Sequence, residues 1–364
     1  MPAASSSPIR PVLAQITAAA DANRLSGTGV LAALGKVPDP RRRRGVRHQI
    51  GVILGLAACA VLAGCRSFAA IGEWAADASE QVLAALGAER APCESTIRRA
   101  LQRIDGDELD AAIGAWAAAW AGPPAGTRRA LAVDGKTVRG SASQATGARH
   151  LLAAVDHRTG VVFGQVDVAA KTNEIPMFSQ LMDRIADLTE VVVTADALHT
   201  QRGHAEYLVL QRGAHYLLTV KGNQPALHSQ LKALPWVDVP PAHTSTGRAH
   251  GRIEKRVVKV VTVAAGILFP HARQAIQITR KTRRLDSRKW TTEVVYAVTS
   301  LAFEQAAAAE LAAFIRGHWS IENRLHWVRD VTYDEDRSQI RTATGPRAMA
   351  SLRNLPSASC GQPG

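Results

Sequence analysis

The six residues Gly122-Pro123-Pro124-Ala125-Gly126-Thr127 divide this chain into two stretches that obey different periodicities. Glycine and proline are the strongest local punctuators of a chain, and the spacing of apolar residues changes across them. Ahead of the linker, apolar residues recur at helical intervals, as at Ile71, Trp74, Val82 and Leu86. Behind it, short β-branched and apolar runs alternate with turn chemistry. Such a chain has to set a helical region beside a sheet.

The most apolar segment, residues 50–64 (IGVILGLAACAVLAG), belongs to the helical stretch. It is shorter than the roughly 20 residues a bilayer span needs, carries three glycines and follows Arg41–Arg44 and Arg47. It therefore reads as a buried helix, with no membrane part. The arginine cluster reads as a solvated loop or as an arm that contacts phosphates. In residues 91–101, Ser95 is expected as an N-cap, with Ile97 and Leu101 inward and Arg98, Arg99 and Arg103 outward. That pattern fits the second helix of a helix-turn-helix in a DNA groove and equally an amphipathic helix with a basic face.

Beyond the linker, strands are expected at residues 130–134, 150–155, 161–168, 191–194 and 215–220, with helices at 175–186 and 201–212. Asp156-His157-Arg158-Thr159-Gly160 supplies a hairpin turn between the second and third strands. The order β-β-β-α-β-α-β is that of an RNase H-like core. The chain then turns β-rich, regains a strand at 292–300 and ends in an alanine-rich helix from 304 that continues past Gly317 to about 331. The fold class expected is α/β: an RNase H-like mixed sheet flanked by helices, with a β-rich insertion and an N-terminal all-α domain. The divisions are a weakly ordered tail at 1–25, a helical DNA-binding domain at 26–121, catalytic core at 128–224 and 292–355, the insertion at 225–291 and an aberrant tail at 356–364.

The formal net charge is +13, an excess that attracts polyanions, nucleic acid first. Cys59, Cys65, Cys93 and Cys360 form no C-x-x-C pair, which excludes a zinc knuckle and suggests no disulfide framework. The first ten residues are Ser/Pro-rich, without the apolar core of a signal peptide. A reducing bacterial cytoplasm, at the nucleoid, is the expected location.

Two apolar runs stop on a carboxylate, Asp134 in Ala-Val-Asp-Gly-Lys and Asp196 in Val-Thr-Ala-Asp-Ala. Buried unpaired charge is costly, so an acid in that place suits a rigid, solvent-reachable strand end; a turn aspartate is the plainer alternative. A third acid, Glu322, flanks a helical stripe of Ile321, Leu325 and Val328. Three converging carboxylates can hold two divalent metals about 3.5–4 Å apart for phosphodiester chemistry, and oxygen ligands suit Mg²⁺ or Mn²⁺. Lys136 and Lys221 follow strands at the same edge and could meet a scissile backbone, or be solvated lysines. His199 could touch a phosphate or stand idle in its loop. Trp319 and Trp327, eight residues apart, are expected in the core, with base stacking the lesser alternative. Asp330, Asp334, Glu335 and Asp336 read as a solvated turn.

Five segments fall in a familiar order: Val133-Asp134-Gly135-Lys136-Thr137-Val138-Arg139-Gly140-Ser141; Lys171-Thr172-Asn173-Glu174-Ile175-Pro176; Asp196-Ala197-Leu198-His199-Thr200-Gln201; Val220-Lys221-Gly222-Asn223-Gln224; and the run from Arg316 to Trp327 followed by Asp334-Glu335-Asp336-Arg337-Ser338. Together they resemble the bacterial insertion-sequence DDE transposases, in the branch of H-repeat-associated proteins, from about residue 31 to 355. The resemblance implies metal binding by Asp134, Asp196 and Glu322, a β-rich insertion ahead of the glutamate, and cleavage and strand transfer of element DNA. It implies element ends and target DNA as partners, and the need to hold two ends implies a homodimer. The Tyr, Arg and Lys that flank the glutamate in the wider superfamily are replaced by Ile315, His318 and Arg329; Arg316, Arg324 and Arg329 are the candidate backbone contacts instead. After Leu355 the family's apolar helix gives way to Pro356-Ser357-Ala358-Ser359-Cys360 and on to Gly364. Two alternatives follow: a metal nuclease that does not join ends, and a non-catalytic DNA-binding remnant.

Overall fold

The computed structural model describes residues 29–359 apart from 43, 45, 123–125, 127, 145, 170–171, 250, 264–266 and 320, and of 249, 323, 324 and 356–359 the backbone alone. The expected tail at 1–25, most of the linker, and residues 360–364 lie outside the described residues.

Residues 30–121 hold six helices: α1 (Val30–Gly35), α2 (Ile50–Leu62), α3 (Phe68–Ala76), α4 (Glu80–Ala85), α5 (Glu94–Arg103) and α6 (Gly106–Ala121). Their starts are written in side chains. Ser67 and Ser79 accept from Ala70 and Val82 amides, and Asp105 accepts from Asp107 and Glu108, each satisfying a first-turn donor. Ser95 is not a cap: the Cys93 carbonyl already accepts from Thr96 and Ile97, so α5 begins at Glu94 with Cys93 in the capping place. The apolar segment becomes α2, buried along nearly its whole length among Ile71, Ile97, Leu101, Leu352 and their neighbours. No helix among the described residues is long and apolar enough to cross a membrane.

Past the linker the chain builds one nine-stranded sheet of order β3-β2-β1-β4-β5-β9-β8-β7-β6. Its strands are β1 (Ala130–Val138), β2 (Arg149–Asp156), β3 (Val162–Val168), β4 (Val192–Ala195), β5 (His215–Val220), β6 (His243–Ala249), β7 (Arg252–Thr262), β8 (Gln274–Arg284) and β9 (Thr291–Thr299). β1 is parallel to β4, and β4 to β5; the other pairs are antiparallel. The β2–β3 turn forms as the sequence implies, with Asp156 Oδ1 accepting from the Arg158 and Thr159 amides and Gly160 at φ 73°. The β-rich stretch opens on helix α9 (Pro225–Lys232), and its three strands join β9 edge to edge, continuing the same sheet.

Both faces of the sheet are covered. Leu131 and Val133 of β1 point to one face, packed with α7 (Met177–Asp183) and α8 (Arg202–Glu206). Ala130 and Ala132 point to the other, under α10 (Ala308–His318) and the helical segment of residues 321–332 that follows it. That alternation is the period-2 rule of a strand, and it explains why β1 is apolar at every position from 130 to 133. The last helix, α11 (Gly345–Ser359), lies on α6, α2 and α5.

Candidate active site

β1 does not stop at Asp134. It runs on to Val138, paired with β2 throughout, while its pairing with β4 ends at Val133↔Ala195. The next residue on each strand is an aspartate. Register therefore sets Asp196 beside Asp134, both on the face of Ala132 and Thr194. Helix packing brings the third acid. Ile321 and Leu325 pack on Ala132, Ala153, Val155 and Val162, and the residues that follow them, Glu322 and His326, reach over Asp134. The row continues: Glu322, His326 and Asp330 recur every fourth residue, facing Asp134 and Lys136 on alternate positions of β1.

The contacts follow that geometry. His326 Nδ1 lies 3.0 Å from Glu322 Oε2 and 3.8 Å from Asp134 Oδ2. One ligand atom each from Asp134, Glu322 and His326 fall within 4.8 Å of one another, the spacing of a cation site. Asp196 is not in that group; it is exposed at the mouth, its Oδ1 accepting from the Leu198 amide at 2.9 Å. Burial pushes Asp134 up to about 6, against the Gly135 amide that holds it down, and the charges of Asp196, Glu174 and Glu322 raise it further. An excess of carboxylates that raises its own member's pKa is a donor set for a divalent cation.

Behind β1, on the opposite face, stands a second polar group. Glu174 accepts from His150 at 2.6 Å and from His199 at 3.0 Å, and His150 in turn meets Thr137 at 2.9 Å. Burial would raise Glu174, yet the two histidines hold it down at about 2. Its carboxylate and the His150 ring fill the space where a Cβ on residue 135 would stand, so any side chain there would displace both groups. His199 is buried here rather than facing a phosphate.

The remaining expected site residues divide. Arg98, Arg99 and Arg103 are exposed on α5, opposite Ile97, Ala100 and Leu101; Lys221 and Arg316 are exposed as well. Lys136 is buried, and both oxygens of Asp330 accept from its Nζ at 2.6 and 2.7 Å. Arg329 cannot contact DNA from where it lies. It is 1 % exposed, and Glu335 binds it on one side and Arg353 on the other. The expected solvated turn is thus an interior ion network at Glu335 and a partner for Lys136 at Asp330. His318 bonds Thr194 at 3.2 Å and burial lowers it to about 4, so it offers no charge to a phosphate. The Arg324 side chain lies outside the described residues. Trp319 and Trp327 are exposed, not core, because Ile321 and Leu325 fix the buried side of the helix and leave the tryptophans on the other. The sequence reading missed His326 and Glu174. The i, i+4 spacing of Glu322 and His326 was the available signal for the first; nothing local announces the second.

A helical region and a mixed sheet with acids where the pairing of two parallel strands ends set the context, and the sequence comparison names the class: the chain belongs to the Transposase DDE domain family, matched over residues 125–355. Residues 31–117 match the DDE_Tnp_1-associated family. Among relatives, "Putative transposase YncI" of Escherichia coli O157:H7 is 29% identical over 88% of this chain and 84% of its own length. "H repeat-associated putative transposase YhhI" of Escherichia coli (strain K12) is 27% identical over 88% and 86%. Among solved structures, the piggyBac transposase synaptic complex with hairpin DNA gives a TM-score of 0.42 at 10% identity, covering 91% of this chain and 72% of that one. The resemblance drawn from the motif order stands as a bacterial DDE transposase.

Proposed function

We propose that this protein cuts and joins the DNA of an insertion element, with Asp134, Asp196 and Glu322 as the ligands of Mg²⁺ or Mn²⁺. The observation that carries the reading is the register: Asp134 and Asp196 follow the last paired residues of two parallel strands, on the face that the Glu322 helix covers. The strand order β3-β2-β1-β4-β5 supports an RNase H-like core at 128–224 and 292–355, with 225–291 as an insertion that extends its sheet; the helical region 26–121 packs against that core.

Divalent cations held there would acidify the attacking hydroxyl and stabilise the leaving oxygen. The chain's own groups do the rest. Asp134 is fixed by the strand and backed by the His150–Glu174–His199 bridge. Glu322, exposed, closes the group from its helix. Asp196, exposed beyond the end of β4 and capping its own turn, would complete the set. Exposed Lys221 and Arg316 would neutralise backbone phosphates, and Arg98, Arg99 and Arg103 would hold the duplex from α5. A homodimer would hold two element ends. A non-catalytic remnant would leave the convergence of Asp134 and Glu322 without a purpose.

Joining separates a transposase from a nuclease. Pre-cut element ends with free 3′-hydroxyls, mixed with supercoiled target, metal and protein, are expected to give covalently joined products. Hydrolysis of the same DNA without joined products would overturn the transposase reading in favour of a nuclease.

A further inference from the structure

We infer that His326 is a nitrogen ligand of this metal site, so that the cation is held by an imidazole together with carboxylates rather than by oxygens alone. The inference rests on the reading of Asp134 and Glu322 as cation ligands, and goes beyond it in naming the donor.

Position argues first. His326 stands between the two acids, 3.0 Å from Glu322 and 3.8 Å from Asp134 through the same Nδ1, within the 4.8 Å mutual reach of the three ligand atoms. Its ring is only 6 % exposed, so it is not a surface histidine that happens to lie near acids. Packing fixes it: Leu325 beside it is buried in the small core on Ala132 and Val155.

Competition argues second. The next residue of the row, Asp330, has both oxygens engaged by Lys136 and is unavailable as a further carboxylate. Asp196 caps its own turn and lies outside the group of three ligand atoms. The added donor that the fold brings within reach of both Asp134 and Glu322 is the imidazole.

Chemistry argues third. An imidazole binds a metal through a ring-nitrogen lone pair. Nδ1 is the ring nitrogen that faces both acids. Mn²⁺ takes the same carboxylate ligands as Mg²⁺ and is paramagnetic, which makes it the probe for a bound nitrogen.

The test is pulsed electron paramagnetic resonance on the full-length protein with Mn²⁺ as the probe. Wild type is expected to show the ¹⁴N modulation of a directly bound imidazole. Protein labelled with [¹⁵N]histidine should convert it to ¹⁵N modulation, a control that needs no substitution. His326→Gln, shown folded by thermal melting, should lose the modulation and bind Mn²⁺ on the order of tenfold or more weakly. Bound Mn²⁺ without nitrogen modulation in wild type, or modulation that survives in His326→Gln, overturns the inference. Asp134→Asn separates the two readings: if it abolishes Mn²⁺ binding while wild type shows no nitrogen, the carboxylate site stands and His326 does not belong to it. If Asp134→Asn binds Mn²⁺ as wild type does, the carboxylate reading itself fails.

Discussion

Asp134 pays for its position with an elevated pKa. A value of about 6 in the folded chain lies above the roughly 3.9 of a free aspartate. The folded state thus holds the proton more tightly. Stability from this group is complete below about pH 4 and is lost as pH rises through about 6. Asp134→Asn should therefore stabilise the metal-free protein at pH 7.5, by at most about 3 kcal/mol, and change little at pH 4, as read by urea unfolding at the two values. The same proton competes with metal, so Mn²⁺ affinity of wild type should fall as pH drops below about 6, measured by titration calorimetry. A second substitution tests the backing of the strand. Gly135→Ala puts a methyl where Glu174 and His150 stand, and should lower both metal affinity and cleavage while Asp134 itself is intact. At this scale the sequence offered Asp134, Asp196 and Glu322 as candidates, because two of them end apolar runs and the motifs around all three carry a family resemblance. It did not show His326 or Glu174. Their positions arise from contacts across a helix–strand interface and a loop, and only the i, i+4 spacing of Glu322 and His326 hints at the first.

The helical segment carrying Glu322 is held at two points. Ile321 and Leu325 seat it on the sheet, and Arg329, with Glu335 and Arg353, locks its far end inside the protein. Leu325→Ala should cost about 2–5 kcal/mol and also displace His326, the adjoining residue. Glu335→Gln leaves two buried guanidinium groups without their counter-charge and should cost about 3–5 kcal/mol. Urea unfolding checks both. The succession of strands and helices along the chain, and the hairpin, were legible from alternation and turn chemistry. The interior fate of Arg329 was not, because an arginine near acids on a helix looks the same in sequence whether water or a buried carboxylate receives it. The tryptophans misled for a related reason: their eight-residue spacing puts them on one helix face but does not say which face is covered.

Across the whole molecule, α6 ties the helical region to the sheet. Gly114 lets it approach β3 so closely that a Cβ would strike the Phe163 carbonyl. Asp110 of the same helix, buried, receives Arg347 at 2.9 Å, Ser351 of α11 and Gln165 of β3. Helical region, sheet and last helix are thus bonded through one carboxylate, which the linker in the sequence gave no reason to expect. With a net charge of +13, DNA affinity should depend steeply on salt. Replacing Arg98, Arg99 and Arg103 together by alanine should flatten the slope of log affinity against log salt by about three in filter binding, and leave metal binding unchanged.

The convergence of Asp134, Asp196 and Glu322 is tested most directly by Mg²⁺-dependent nicking of DNA carrying an element end with its flank. Wild type should nick only with metal present, and Asp134→Asn, Asp196→Ala and Glu322→Gln, each folded, should each reduce nicking to background. Nicking that persists in any one of these variants, or that proceeds in chelator, would contradict the account.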